Sequence, residues 1–308
     1  MTQRFVVGYI ASDRGHDALA LASFLAKGTD TELIIAMITP ETSPYSGTHP
    51  LPLDDADSII GKQIDTWMSE ALAQVPEGIQ ATGVVRSASG EAQGLMDVAS
   101  EFGAVAIVIG AATTALLRQF TVGTVASTLL HASPLPVALA PAGFAEEGPV
   151  TRITTLFGTR SGAAALIGTS VESALQRDVQ LRLLSLVQLD RVPPSQVQEV
   201  EEFVREFGGA VLAGRAEALL ESGKATVETV EGENLEAALE KANWSAGDVA
   251  FVGSSRLAQG GRIFLGARAQ RLLRVLTVPV IVVPRAVLPA EAPKPAPGAE
   301  STETGTGR

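Results

Sequence analysis

Residues 129–137, Leu-Leu-His-Ala-Ser-Pro-Leu-Pro-Val, are answered 143 positions later by residues 272–280, Leu-Leu-Arg-Val-Leu-Thr-Val-Pro-Val. The same offset carries Ala106-Ile107-Val108-Ile109-Gly110 onto Val249-Ala250-Phe251-Val252-Gly253, Gly123 onto Gly266, and Pro141 onto Pro284. Separate elements that share one offset mark a duplication. A period this long means two domains in tandem and not a solenoid of short repeats. The chain of 308 residues has room for two domains of roughly 150 residues each.

Each half alternates strand and helix patterns. In the first, strands are expected at 5–10, 32–38, 81–86, 105–109 and 136–140. Helices are expected at 13–26, with Ser12 or Asp13 as N-cap, at 91–102 and at about 123–131. A further amphipathic helix carries Ile60, Ile64, Trp67, Met68, Ala71 and Leu72 on one face. The second half predicts strands at 153–157, 180–187, 226–230, 249–252 and 280–283, with helices at 163–176, 195–221, 235–242 and from Gly266. Such alternation predicts an α/β fold of two doubly wound parallel sheets with right-handed crossovers. The domains are placed at 1–143 and 151–285. Residues 286–308, mostly Pro, Ala, Glu, Thr and Gly, form a tail too poor in apolar residues to bury a core.

Composition removes several classes of function. Hydrophobic residues make up 46% and suit two buried cores, while aromatics at 5% leave small and branched residues to fill them. A net charge of −11 repels phosphate backbones, so nucleic acid is not an expected partner. With no cysteine there is no disulfide, thiol nucleophile or thiolate metal site, which fits a reducing compartment. The start, Met1-Thr2-Gln3-Arg4, runs directly into a strand without a secretory leader, and no stretch of ~20 apolar residues is long enough to span a bilayer. A cytoplasmic protein is expected, with no membrane partner.

In an open parallel sheet, ligands gather beyond the carboxyl ends of the strands. Two loops lie there, from Gly110 to Gly123-Thr124 and from Gly253 to Gly266-Ala267. Each joins a buried strand to a helix N-terminus, where free amides and the helix dipole favour an anion and glycine permits close approach. The second loop and its helix start hold Arg256, Arg262 and Arg268, whose guanidinium groups suit phosphate. They can equally form a solvated face, and Gly110 and Gly123 can serve only to make the turn. His16, His49 and His131 have no ligand-like neighbours, and His131 reads as a surface or interface residue. Asp54, Asp55 and Asp57 read as helix N-terminal acids, Glu199, Glu201, Glu202 and Glu206 as a solvated helix face, and Trp67 and Trp244 as packing residues. No nucleophile elbow, Walker loop or dinucleotide fingerprint is present.

The loop spacing resembles that of the universal stress protein family: Gly, two residues, Gly, nine residues, Gly, then Ser or Thr. The first half reads Gly110, Thr113, Gly123, Thr124 in those places, and the second reads Gly253, Arg256, Gly266, Ala267. The run Leu-Leu-His-Ala-Ser-Pro-Leu-Pro-Val-Ala-Leu-Ala-Pro also looks like the family's last helix and strand. The resemblance spans residues 5–284 and implies a fold of the adenine-nucleotide α-hydrolase-like type. It implies a non-enzymatic stress-response protein, with ATP or AMP, and magnesium alongside, as the candidate ligand. Gly110, Thr113, Gly123, Thr124, Gly253, Arg256, Arg262 and Gly266 are then the candidate nucleotide-binding residues.

Departures from the pattern weaken that site. Nucleotide-binding members usually carry Asp at the end of the first strand, where this chain has Ile10; the second half, Leu156-Phe157-Gly158-Thr159, also lacks a carboxylate. Ala267 removes a hydroxyl from the phosphate loop, and a lost hydrogen bond to a charged group costs about 1.5–3 kcal/mol. Weakened ATP or AMP binding at one loop is one reading. A nucleotide-free scaffold acting through an unknown protein partner is the second, and a slow ATPase the third. Family members commonly pair through the last strand, so 136–140 and 280–283 are expected to lie together as an intramolecular pseudo-dimer. A further homodimer stays open.

Overall fold

The computed structural model describes residues 2–41, 53–111, 123–145, 148–157, 163–188, 219, 221–254, 263 and 267–284. The first half contains β1 (Gln3–Gly8), α1 (Asp13–Ala26), β2 (Thr31–Pro40), α2 (Leu53–Ala73), β3 (Gln80–Ala88), α3 (Glu91–Glu101), β4 (Ala106–Gly110), α4 (Thr124–Ala132) and β5 (Val137–Ala140). The second contains β6 (Arg152–Phe157), α5 (Ala163–Arg177), β7 (Gln180–Gln188), β8 (Ala225–Gly232), α6 (Leu235–Glu240), β9 (Asp248–Gly253), α7 (Ala267–Val275) and β10 (Val280–Val283). The expected helix at 195–221 falls almost wholly outside the described residues, as do His49, Glu199, Glu201, Glu202, Glu206 and the tail.

The ten strands form one sheet in the order β3-β2-β1-β4-β5-β10-β9-β6-β7-β8. Strands within each half run parallel, as the alternation of strand and helix requires. The halves meet at an antiparallel pair, Val137↔Val282, Ala138↔Ile281 and Leu139↔Val280. Ala138 and Ile281 are also repeat equivalents, 143 positions apart. A pseudo-twofold axis therefore passes through that pair, and the pseudo-dimer is present. Joining β5 to β10 also covers two strand edges that would otherwise expose unpaired backbone.

Two apolar clusters line the two faces of the sheet. One contains Leu21 and Phe24 of α1 and Ile167 and Val171 of α5; the other contains Leu95 of α3, Leu129 of α4, Leu239 of α6 and Leu273 of α7. Strand residues are buried on both sides, with Val6 and Val7 each fully covered.

Two expectations need correction. β1 ends at Gly8, so Ile10 lies in the turn and not on the strand; Ser12 N–H donates to the Ile10 carbonyl at 2.7 Å, turning the chain into α1. On α2, Met68 and Ala71 are buried, but Ile60 is 57% and Trp67 37% exposed. The apolar stripe is wider than the surface the sheet offers, so Trp67 is only partly a packing residue. Trp244 does pack, with its indole N–H donating to the Leu239 carbonyl at 2.9 Å and Arg182 stacked 5.1 Å over its ring.

Candidate functional site

The first loop begins at Gly110, at the carboxyl end of β4. An added Cβ there would sit 2.1 Å from the Arg14 carbonyl oxygen, and one at Gly15 would sit 1.9 Å from the Ile10 carbonyl oxygen. The first turn of α1 is thus wedged between the ends of β1 and β4, and only glycine permits it. Gly110 serves this helix contact before any ligand is considered.

On the far side of the loop, Gly123 occupies the N-cap of α4 in an extended conformation, and its carbonyl accepts from Ser127. Thr124 opens the helix and is exposed. The first amides of α4 lack intrahelical acceptors and face the loop's mouth with the positive end of the helix dipole. Glu91, first in α3, shares this mouth with Arg14. Burial raises its carboxyl pKa, while the Arg14 charge pulls it back down. Ile10 lines the same mouth. The cavity bounded by Gly8, Ile10, Arg14, Glu91, Gly110 and Gly123 is about 30 Å³. That is room for about one water, whereas ligand pockets run to several hundred Å³.

The second loop starts from the same backbone frame. Ala111 N–H donates to the Ala140 carbonyl, and its repeat equivalent Ser254 donates to that of Val283, both at 3.0 Å. The packing differs. Among the described residues, a Cβ added at Gly253 would meet nothing closer than a Leu166 side-chain carbon at 3.4 Å, an ordinary contact. Thr113, Arg256, Arg262 and Gly266 lie outside the described residues, and of Arg268 only the backbone, within α7, is described.

His131 is exposed on α4, with Nδ1 2.6 Å from the Ser127 carbonyl oxygen, as a surface histidine should be. Among the described residues, no group of three His, Asp or Glu is placed to hold a metal ion, and no helix is long and apolar enough to cross a membrane.

Two polar groupings escaped the sequence reading. Arg4 and Arg152 occupy equivalent places at the starts of β1 and β6. Arg4 faces Glu32 across β1–β2, donating at 2.8 Å. Arg152 faces Gln180 there instead, and its carboxylate comes from the other neighbour, Asp248 of β9, with two bonds of 2.6 Å. Asp248 is fully buried, also accepts from Ser245 N–H, and lies 4.0 Å from Arg182. The second grouping is Asp17, buried on α1, whose carboxylate accepts from the Gly143 N–H at 3.1 Å and so ties α1 to the segment joining the halves. A buried acid inside an apolar helix face was the only sequence signal for it.

A parallel α/β sheet doubled about a pseudo-twofold axis, with one glycine-bounded strand–loop–helix per half, defines the class: a tandem Rossmann-like α/β protein. The family then follows. Residues 1–141 match the model of the universal stress protein family. The chain is similar to universal stress proteins of Mycobacterium tuberculosis and Mycobacterium bovis, 27% identical over 292 residues, covering 91% of this chain and 99% of theirs. The fold is shared with a universal stress protein of Archaeoglobus fulgidus, at 14% identity and a TM-score of 0.65, covering 93% of this chain and all of that one. The first half is thus a universal stress protein domain, and the chain as a whole is similar to universal stress proteins along nearly its full length.

Proposed function

We propose that this protein is a non-enzymatic, cytoplasmic stress-response regulator that takes ATP or AMP weakly, through the phosphates, at the second-half loop and not at the first. The observation that carries this reading is the contrast between the two glycines. Gly110 is filled by the α1 backbone, with about 30 Å³ left beside it, while among the described residues Gly253 meets a side-chain carbon at ordinary contact distance. Gly253, Gly266, Arg256 and Arg262 are then the working site, with guanidinium groups substituting for lost loop contacts. Gly110, Thr113, Gly123 and Thr124 keep the family's spacing as structure. Regulation would pass to a protein partner, with homodimerisation as a further layer.

The test is calorimetric titration with ATP, ADP and AMP, with and without magnesium. Saturable binding that Arg262→Ala abolishes and Gly123→Asp leaves intact is the expected result. Loss of binding in Gly123→Asp alone would move the site to the first half. No heat at millimolar nucleotide from folded protein would leave the second reading, a nucleotide-free interaction scaffold, which Ile10 and the small first-half cavity favour.

A further inference from the structure

On the face of the sheet that carries α1 and α5, no helix among the described residues closes the junction between the halves. A cleft of about 270 Å³ remains there, straddling the pseudo-twofold axis. Its floor comes from both halves: Phe5 and Ala138 from one, Ile153, Val249, Phe251 and Ile281 from the other. All but Ile281 are buried residues of the sheet, so the floor is apolar and built of rigid strand backbone.

Two cross-half bonds form the rim. Gln3 donates to the Gln176 side chain at 3.2 Å, and Arg177, the last residue of α5, donates from one terminal nitrogen to the Leu25 carbonyl near the end of α1 at 2.6 Å. The Leu25 carbonyl is one of the helix-end acceptors that lack an intrahelical partner. Among the described residues Arg177 makes no ion pair, and its other N–H groups have no partner there. Burial lowers its pKa, and no carboxylate among the described residues offsets that loss of hydration. Glu172 also lines the rim, but it is exposed and not paired with Arg177.

An apolar floor with one uncompensated guanidinium at its edge selects a particular chemistry. We propose that this cleft binds a small amphipathic carboxylate, with its hydrocarbon body on the Phe5–Phe251 floor and its carboxylate paired to Arg177. A guanidinium holds a carboxylate through two parallel N–H···O bonds, and the volume falls near the lower end of ligand-pocket sizes. Because both halves supply the floor, an occupant would tie them together and stabilise the whole sheet by mass action. The site is separate from the phosphate loops, and nothing in it depends on nucleotide binding.

Octanoate, octanol and octylamine share one apolar body and differ in head group, so they are suitable probes for the intact protein. Saturable calorimetric binding of octanoate, with a rise in Tm, is expected, and weaker binding of the alcohol and the amine. Arg177→Gln, which keeps a donor to Leu25, should weaken octanoate roughly tenfold or more while leaving octanol unchanged. Ser173→Leu, on the α5 wall of the cleft, should reduce binding of both without loss of circular-dichroism signal. Equal affinity for octanoate and octylamine, no saturable octanoate binding, or binding indifferent to both substitutions would overturn the proposal.

Discussion

Asp248 shows how much of the second half rests on one side chain. Its carboxylate accepts two charge-assisted bonds from Arg152 and one from Ser245, at zero exposure and beside the buried Arg182. The Asp248 bonds raise the Arg152 pKa against its partial burial. Desolvation lowers that of Arg182, with repulsion from Arg152 adding to it. Asp248→Asn would leave two guanidinium groups without their shared counter-charge, and breaking a buried pair costs about 3–5 kcal/mol. The equivalent pair in the first half, Arg4–Glu32, is partly exposed, and such a pair contributes only about 0–1 kcal/mol. Urea unfolding is expected to show a large loss for Asp248→Asn and little for Glu32→Gln. Equal losses would contradict the difference in burial. Neither outcome was legible in the sequence, because Arg152 finds its partner 96 residues away in β9 and not in the strand that its repeat equivalent uses.

At the scale of elements, α1 makes two contacts that organise the first half. Its N-terminal turn fills the space over Gly110, and its buried Asp17 holds the segment after β5. Phe24 and Phe144 reinforce that hold with an edge-on ring contact at 5.4 Å. Burial raises the Asp17 carboxyl pKa, against the pull of the Gly143 and Phe144 N–H groups. A native state with the higher pKa binds its proton more tightly than the unfolded chain. The resulting stabilisation is full below the ordinary carboxylate pKa, about 3.9, and is lost as pH rises through the raised value. Asp17→Asn keeps an acceptor oxygen but does not ionise. Its Tm is therefore expected to gain on the wild type as pH rises from about 4 to 7; a constant difference across that range would refute the linkage. The strand–helix order of both halves was readable from periodicity. The width of the covered face on α2 was not, since Ile60 and Trp67 carry the same pattern as Met68 but find no sheet beneath them.

For the whole molecule, the sheet is continuous from one half to the other through β5 and β10, two four-residue strands. Ile281 lies between β5 on one side and β9 on the other. A proline there removes a ladder donor from a central strand, and an unmade buried hydrogen bond costs about 1–3 kcal/mol. Ile281→Pro is expected to split a single thermal transition into two by calorimetry, one for each half. One transition at an unchanged Tm would show that the halves are coupled elsewhere.

The sequence by itself determined the duplication, the α/β class and the positions of nearly all described strands and helices. Those features are written in local periodicity and in one recurring offset. Its likeness to the universal stress proteins also placed the last strands of the halves together. Tertiary structure alone decided what the shared glycines do. Gly110 and Gly253 are the same residue at the same repeat position, yet among the described residues one is pressed by the α1 backbone and the other meets the Leu166 side chain at ordinary distance. It likewise decided where Arg152 finds its counter-charge and that a cleft stays open over the Ala138–Ile281 axis. These outcomes depend on contacts between segments far apart in the chain, where a shift of an ångström or two separates a filled space from a site, and no local pattern of residues encodes that distance.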